Sequence, residues 1–356
     1  MALDLTGDAA VLAAQICDIP SPSGAEAALA GAIEAALSPL PHLTVERDGD
    51  AVIARTHMGR GRRVVIAGHI DTVPISGNLP TRLIDGDLWG RGTVDMKGGV
   101  AMALHLAATL TEPAWDVTWV FYDHEEVDAA RNGLGRISRN HPEWLAGDFA
   151  ILGEPTGAQV EGGCNGTLRV EVCTTGLAAH SARPWMGENA IHAAGALLQR
   201  LAEYEAREVA VDGLVYREAL SAVAIAGGRV LNSIPDECVV TVNYRFAPST
   251  SIEEAFAHVQ SLLPGYELTL VDAAAGARPG LDSPAIQEFV DAVRAHTGGA
   301  VMPKYGWTDV ARFSELGIPA VNFGPGDPLL AHADDERCPI SQIHSCTSAL
   351  AAWLER

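Results

Sequence analysis

Short apolar runs separated by a helical stretch predict the first layer of structure in this chain. Runs rich in β-branched or aromatic residues occupy positions 63–67, 117–122, 149–152 and 319–323, and each is followed by polar residues or glycine. Their length and composition are typical of buried strands. Residues 98–110, between the first two runs, have the apolar pattern of a helix. Strand–helix–strand alternation predicts an α/β domain with a mostly parallel sheet flanked by helices.

The middle of the chain follows a different pattern. Segments with strand-like alternation and segments with helical periodicity occur there in the order β-α-β-β-α-β, which is the ferredoxin-like pattern. The clearest of them are residues 167–173, 188–205, 221–226, 238–246 and 252–263. We therefore predict an inserted ferredoxin-like α+β domain at residues 166–277. It would interrupt a catalytic domain made of residues 1–165 and 278–356.

Composition and charge narrow the class of protein. Hydrophobic residues make up 48% of the chain and charged residues 19%, so the chain can build a core. Its net charge of −21 repels phosphate backbones and anionic lipids, so we expect neither nucleic acid nor membrane as a partner. The six cysteines include no CxxC pair, and the N-terminus lacks the pattern of a signal peptide. We therefore expect a cytoplasmic protein.

Side chains that bind metals follow each predicted strand. In an open α/β sheet, ligands bind outside the carboxyl ends of the strands, so residues far apart in sequence can meet there. One further acidic residue directly precedes the apolar helix. The candidate ligands are His69, Asp95, Glu126, Glu154 and His332.

Each of these residues has a simpler explanation when it is taken alone. An aspartate before a helix is commonly an N-cap, and a pair of glutamates is commonly exposed to solvent. Their joint occurrence at successive strand ends favours a metal site. A set of histidines and carboxylates without thiolates suits zinc, with cobalt or manganese as substitutes. Two histidines and three carboxylates suit a pair of ions that share one carboxylate and activate water for attack on an amide carbonyl.

Neighbouring residues provide candidates for the catalytic roles. Glu125, adjacent to Glu126, is positioned to carry a proton from water to a leaving amine. Asp71 follows His69 by two residues and can receive its second imidazole N–H. His180, in the predicted inserted domain, is a candidate oxyanion donor, and the alternative is an exposed loop histidine.

Cations in this acidic chain are candidate contacts for substrate carboxylates. The planar guanidinium of arginine suits carboxylates, and Arg183, Arg245 and Arg312 are the arginines concerned. The alternative for each is a surface salt bridge, which contributes little stability. A Rossmann dinucleotide site is disfavoured, because the sequence Gly59-Arg60-Gly61 precedes a predicted strand, whereas the Rossmann fingerprint follows one.

These motifs, in this order, resemble the di-zinc amidohydrolase and carboxypeptidase family that includes the aminoacylases and acetylornithine deacetylase. The resemblance covers essentially the whole chain. Its blocks are residues 68–74, 90–99, 125–126, 153–156 and His332. It implies that His69, Asp95 and Glu154 hold one zinc ion, and that Asp95, Glu126 and His332 hold the other.

The resemblance also implies roles outside the metal ligands. Glu125 would be the general base, and Asp71 would orient His69. His180 would be a lid histidine that reaches the active site of the partner subunit, which implies a homodimer formed through the inserted domain.

Within the family, the chain most resembles the desuccinylases that act on succinyl-diaminopimelate, in the form found in actinobacteria. The residues that carry this likeness are 153–156, 166–170, 180–183, 243–248 and 307–313. It implies that Arg245, Asn232 and Thr308 contact the substrate, a small acyl-amino acid of lysine and diaminopimelate synthesis.

Three other functions stay open at this point. Two of them are deacetylation of N-acetylornithine and hydrolysis of a broader range of acyl-amino acids or dipeptides. The acyl pocket would separate these from desuccinylation, because a succinyl group needs a cation where an acetyl group needs apolar closure. The third is a non-catalytic metal-binding or peptide-binding relative, which would lack a ligand or the base.

Overall fold

The structure is a computed structural model that describes residues 2–356. Within that range the α-helices are α1 Ala9–Cys17, α2 Ala27–Leu37, α3 Lys97–Thr109, α4 Gly133–Asn140, α5 Ala190–Ala202, α6 Ile252–Leu262, α7 Pro284–Thr297, α8 Val310–Glu315 and α9 Ile340–Leu354. Short 3₁₀ helices occupy Pro142–Trp144, Pro184–Met186 and Pro328–Leu330. No helix in the described range has both the length and the apolar character required to cross a membrane.

The strands fall into one large sheet and several smaller ones. In chain order they are β1 Thr44–Asp48, β2 Ala51–Arg55, β3 Arg63–His69, β4 Arg82–Ile84, β5 Asp87–Trp89, β6 Asp116–Tyr122, β7 Phe149–Leu152, β8 Val160–Gly162, β9 Gly166–Thr175, β10 Ala179–His180, β11 Glu208–Val211, β12 Leu214–Arg217, β13 Ala219–Gly227, β14 Ser233–Ile234, β15 Glu237–Phe246, β16 Leu268–Ala274, β17 Val301–Pro303, β18 Ala320–Asn322 and β19 Arg337–Pro339.

The chain forms two compact units. The first contains the chain up to Gly162 together with Pro279–Met302 and Arg312–Arg356, and the second contains Gly163–Arg278 and Pro303–Ala311. The main boundaries lie within a few residues of those that the sequence pattern predicts. Residues 303–311 differ, because the pattern predicts them in the catalytic domain and they pack with the second unit. The division into a catalytic and a lid domain stays a prediction.

Two contacts within the second unit explain where residues 303–311 lie. The Asn165 N–H donates to the Lys304 carbonyl at 3.2 Å, and the indole N–H of Trp307 donates to the Ala275 carbonyl at 3.1 Å. Both contacts join residues far apart in sequence. For that reason local periodicity could not have assigned this segment.

The first unit is built on an eight-stranded sheet with the order β1-β2-β6-β3-β7-β18-β8-β17. Its central strands β6, β3, β7 and β18 are parallel, whereas β1, β2 and β8 pair in antiparallel fashion. Every residue of β6 and β7 is buried, as expected for strands covered on both faces. The predicted α/β fold with a mostly parallel sheet flanked by helices is confirmed.

A close backbone approach fixes the position of α3 against the sheet. Gly99, in the first turn of α3, lies against the main chain of Gly153, which directly follows β7. A Cβ atom on Gly99 would be 1.9 Å from the Gly153 carbonyl oxygen, which cannot move as a flexible side chain would. This contact brings the start of α3, and with it Asp95, close to the end of β7.

Replacing Gly99 with alanine is therefore expected to destabilise the protein. Overpacking against backbone costs about 3 kcal/mol in free energy of unfolding, measured by urea denaturation. Gly31→Ala is the matched control, because Gly31 also lies in a helix and a Cβ there would meet no atom within 4 Å. The control is expected to be more stable than the wild type by about 0.5–1 kcal/mol in free energy of unfolding. Equal stability of the two variants would contradict the proposed packing.

The second unit has its own core. Its four-stranded antiparallel sheet has the order β13-β15-β9-β16, and α5 and α6 cover one face of it. Residues of β9 alternate between buried and exposed along most of the strand, as expected when one face packs on helices. The chain order β9-α5-β13-β15-α6-β16 confirms the predicted ferredoxin-like pattern. The hairpin β11–β12 is an addition that the pattern did not predict.

Candidate metal centre

The parallel strands of the first unit bring their carboxyl ends to one edge of the sheet. His69, the last residue of β3, is paired with Tyr122, the last residue of β6, and Glu125 and Glu126 follow shortly after. On the other side of β3, Ala67 pairs with Leu152 of β7. Glu154 and His69 each lie two residues beyond that pair, so the register places Glu154 next to His69.

Four of the five predicted ligands, His69, Asp95, Glu126 and His332, lie close together at this edge. The donor atoms of His69, Asp95 and Glu126 lie within 4.8 Å of one another. Asp95 faces two imidazoles, because its Oδ1 is 3.2 Å from His69 Nε2 and its Oδ2 is 3.3 Å from His332 Nε2. His332 Nε2 is also 3.0 Å from Glu126 Oε1. Each oxygen of Asp95 is therefore directed at a different histidine.

The electrostatics of this cluster suit a divalent cation. Hydrogen bonds with Asp95 and Glu126 raise the pKa of His332 to about 10. Burial opposes protonation of His69, but hydrogen bonds with Asp71 and Asp95 raise its pKa well above the ordinary value. The carboxylates thus attract positive charge to the two imidazoles. Metal ions bind such donor sets by replacing the protons, so the residues fit a metal.

Asp71 holds several parts of the site together. The Nδ1 atom of His69 is 3.0 Å from the Asp71 main-chain oxygen and 3.5 Å from its Oδ1, which directs Nε2 toward Asp95. The Asp71 carboxylate also accepts the main-chain N–H groups of Glu125 at 3.0 Å and of Glu126 at 3.1 Å, and the Ser23 hydroxyl at 2.7 Å. Burial opposes ionisation of Asp71, but these bonds and the one with His69 lower its pKa to about 2.

The contacts of Asp71 with the Glu125–Glu126 main chain go beyond the predicted orientation of His69. Ser23 was also not predicted. Its sequence signal is a turn, Pro20-Ser21-Pro22-Ser23-Gly24, which indicates a loop but not where the loop lies.

A buried network supports the glutamate loop from another side. His124 has a positive φ of 59°, a conformation that non-glycine residues adopt rarely, and its Nδ1 is 2.6 Å from Asp123 Oδ2. Arg136 of α4 donates to Asp123 Oδ1 at 2.6 Å, and the buried Glu26 accepts the His124 N–H at 3.3 Å. These bonds fix the main chain immediately before Glu125.

Three of the predicted substrate and lid residues lie together in the second unit. Strand β10, which contains His180, pairs with β14, and the Ser181 N–H donates to the Asn232 carbonyl at 2.9 Å. The Arg183 N–H donates to the His180 carbonyl at 2.8 Å. The His180 ring is exposed, and its Nδ1 accepts the Ala182 N–H at 3.0 Å, so a neutral ring carries its proton on Nε2.

The remaining candidates are Arg245, Thr308 and Arg312. Arg245 of β15 is half-buried, and its Nε donates to Asn243 Oδ1 at 3.1 Å. Burial and the nearby Arg169 lower its pKa. Thr308 is buried in the second unit, and Arg312, in the first unit, contacts the Ala129 carbonyl at 3.5 Å.

Metal-binding side chains at the carboxyl ends of parallel strands, beside a carboxylate that can carry a proton, define the class of metal-dependent hydrolases. The chain belongs to Peptidase family M20/M25/M40, whose model matches residues 65–356. That match agrees with the resemblance seen in the sequence motifs.

The similarity to relatives and to solved structures extends over almost the whole chain. The chain is 54% identical over 355 residues to a protein of Mycobacterium tuberculosis provisionally named succinyl-diaminopimelate desuccinylase DapE, with 99% of each chain covered. It is 48% identical over 362 residues to a succinyl-diaminopimelate desuccinylase of Corynebacterium glutamicum, covering 99% of this chain and 97% of the relative. Its fold is similar to that of a dinuclear metal-binding M20 peptidase from Bacillus subtilis, with a TM-score of 0.71, 17% identity, and 97% and 96% coverage.

Proposed function

We propose that this chain hydrolyses N-succinyl-LL-2,6-diaminopimelate to succinate and LL-2,6-diaminopimelate, a step of lysine and diaminopimelate synthesis. Metal-dependent hydrolysis is supported most directly by the position of Asp95, whose two oxygens face two different imidazoles. The succinyl substrate is supported by similarity over nearly the full length of the Mycobacterium and Corynebacterium desuccinylases. A cytoplasmic location remains our expectation.

The proposed cofactor is a pair of zinc ions, with cobalt or manganese as substitutes. His69, Asp95 and Glu154 would hold one ion, and Asp95, Glu126 and His332 would hold the other. The fold shared with a dinuclear metal-binding peptidase supports a two-metal site. When bound, such ions polarise an amide carbonyl and lower the pKa of water.

Glu125 is the proposed proton carrier. Its main-chain N–H donates to Asp71 at 3.0 Å, and its carboxylate lies near enough to the His69 imidazole to raise the pKa of that ring. Its carboxylate takes a proton from the attacking water as the new C–O bond forms at the succinyl carbon. It then gives that proton to the amide nitrogen as the C–N bond breaks, so that succinate and the free amine leave.

The second unit is the proposed lid and dimerisation domain. His180 is exposed and carries its proton on Nε2 when neutral, which suits a hydrogen-bond donor to the developing oxyanion. In the proposed homodimer it serves the active site of the partner subunit. Strand β13, at the edge of the four-stranded sheet, carries exposed Val223 and Ile225, which supports a protein contact along that edge.

The test compares substrates on zinc-loaded protein. We expect kcat/KM for N-succinyl-LL-2,6-diaminopimelate to exceed that for N-acetylornithine and for a simple dipeptide by about 10²-fold or more. A site that binds the carboxylate of the succinyl group strongly disfavours a substrate that lacks this group. A preference for the acetyl substrate would refute the succinyl assignment and keep metal-dependent hydrolysis. No hydrolysis of any of the three by fully metallated protein would favour a non-catalytic relative.

Replacing Arg245 with methionine is expected to raise KM for the succinyl substrate. Loss of a charged hydrogen-bonding partner costs roughly 1.5–3 kcal/mol, which corresponds to a decrease in kcat/KM of about 10- to 150-fold. Arg200→Met is the matched control, because Arg200 is exposed on α5 in the same unit. If KM stays unchanged in the Arg245 variant, or rises equally in both, Arg245 does not bind a substrate carboxylate.

A further inference from the structure

A buried carboxylate joins the two segments that carry Asp95 and His332. Glu336 follows His332 by four residues and is only 1% exposed. Its Oε1 accepts the main-chain N–H of Val94 at 2.9 Å and that of Asp95 at 3.1 Å. Its Oε2 accepts from Arg91 Nη1 at 2.8 Å. One side chain therefore bonds directly to the main chain of a proposed metal ligand.

Further bonds tie the same two segments together. Arg91 Nη1 also donates to the Ala333 carbonyl at 3.2 Å, and the Gly90 N–H donates to the Glu336 carbonyl at 3.0 Å. Residues 90–95 and 332–336 are thus joined along their lengths by side-chain and main-chain hydrogen bonds. His332 itself has a positive φ of 65°, which an L-residue keeps only when its surroundings hold it there.

Stability alone is a weak explanation for this arrangement. The side chains of Arg91 and Glu336 are both almost fully buried. Taking an ion pair out of water costs free energy that the attraction between the charges often fails to offset. Glu336 does more than neutralise Arg91, because it also accepts the main-chain N–H groups of Val94 and Asp95. A role in setting the geometry of the Asp95 segment explains these two bonds.

We infer that Glu336 is a positioning residue that sets the separation between the Asp95 carboxylate and the His332 imidazole. It acts through the Asp95 main chain, and Arg91 holds its second oxygen in place. This inference rests on the proposed function only in that Asp95 and His332 bind a shared metal ion. Residues that orient metal ligands change metal affinity by about 10- to 100-fold when they are replaced.

The matched control is another buried carboxylate of the same unit. Asp116 accepts the main-chain N–H groups of Met58 at 2.7 Å and Arg60 at 2.8 Å, as well as the Thr56 hydroxyl at 3.1 Å. It begins β6, at the opposite end of that strand from Tyr122. Glu336→Gln and Asp116→Asn each remove one buried charge and keep the side-chain shape, so both are expected to lower stability.

The experiment uses the full chain freed of metal and reloaded with zinc or cobalt. Zinc affinity is measured by competition with a chromophoric chelator, ligand geometry by the visible absorption of the cobalt form, and stability by urea unfolding. We expect Glu336→Gln to weaken zinc binding about 10- to 100-fold and to alter the cobalt spectrum. Asp116→Asn is expected to lose stability with zinc affinity and cobalt spectrum unchanged.

Wild-type zinc affinity and cobalt spectrum in Glu336→Gln would overturn the inference, whatever its stability. If that variant does not fold, Arg91→Lys replaces it, because the shorter lysine side chain keeps the positive charge but ends short of the Nη1 position that bonds to Glu336 and Ala333. A cobalt spectrum altered in Arg91→Lys supports the inference, and an unaltered one overturns it. Neither readout uses succinyl substrate, so failure of the proposed substrate would be recognised separately.

Discussion

Replacing Glu125 with glutamine is expected to lower kcat by roughly 10²–10⁴-fold while the protein keeps its full metal content. The substitution keeps the size of the side chain and removes its ability to accept a proton. Water can then still reach the amide, but no side chain takes its proton and returns it to the leaving nitrogen. Steady-state kinetics and metal analysis on the same preparation measure the two effects independently.

The structure explains why metal content should survive this change. The proposed ligands do not include Glu125, and three of them, His69, Asp95 and Glu126, have donor atoms within 4.8 Å of one another. The Glu125 main-chain bond to Asp71 does not depend on the side chain. The cluster should therefore form as in the wild type.

Glu143→Gln is the control for this experiment, because Glu143 is an exposed glutamate of the same unit. It is expected to have wild-type kcat and metal content. If Glu125→Gln keeps kcat within tenfold, another group carries the proton. If it loses metal together with activity, Glu125 acts as a ligand and the assignment of the base is wrong.

The positions at the sheet edge could be predicted from sequence because they depend on strand ends. Parallel strands place all their carboxyl ends on one side, so His69, Glu126 and Glu154 had to come near each other once their strands were recognised. Asp95 was predicted from its position before α3, and the Gly99–Gly153 contact explains the closeness of that helix to the site. His332 was predicted from the strand that precedes it in the chain, although a 3₁₀ helix lies between β18 and this histidine.

Glu336 shows what local pattern cannot supply. It ends the run Asp334-Asp335-Glu336, which in an acidic chain is typical of a solvated surface. Its carboxylate bonds to Arg91, Val94 and Asp95, which are about 240 positions earlier in the sequence. Neither periodicity nor composition contains that information, so the contact of Glu336 with the Asp95 segment could be identified only from the structure.

The missed hairpin was, by contrast, predictable from its turn. Asp212-Gly213 separates two alternating segments, and both residues have positive φ, at 47° and 88°. An Asp-Gly pair of this kind is typical of a type I′ turn, which matches the twist of the flanking strands. The signal was present in the sequence but lay between α5 and β13, which already satisfied the ferredoxin-like pattern.

Replacing Asp95 with asparagine is expected to weaken the binding of both metal ions by more than about 100-fold, beyond the cost of losing an orienting residue, and to abolish hydrolysis. One amide cannot present a charged oxygen to each of two ions. In the metal-free protein the same change removes a carboxylate from His332, so the pKa of that imidazole should fall from about 10. Titration calorimetry measures the first effect, and NMR titration of the histidine measures the second.

The stoichiometry of this variant decides whether Asp95 is shared. Asp334→Asn is the control, because Asp334 is exposed two residues after His332, and it is expected to bind both ions as the wild type does. If Asp95→Asn binds one ion with wild-type affinity and loses only the other, Asp95 serves a single ion and the bridging arrangement is wrong. If both ions weaken together, the two oxygens facing His69 and His332 act as one bridge, and the two imidazoles belong to a single coupled centre.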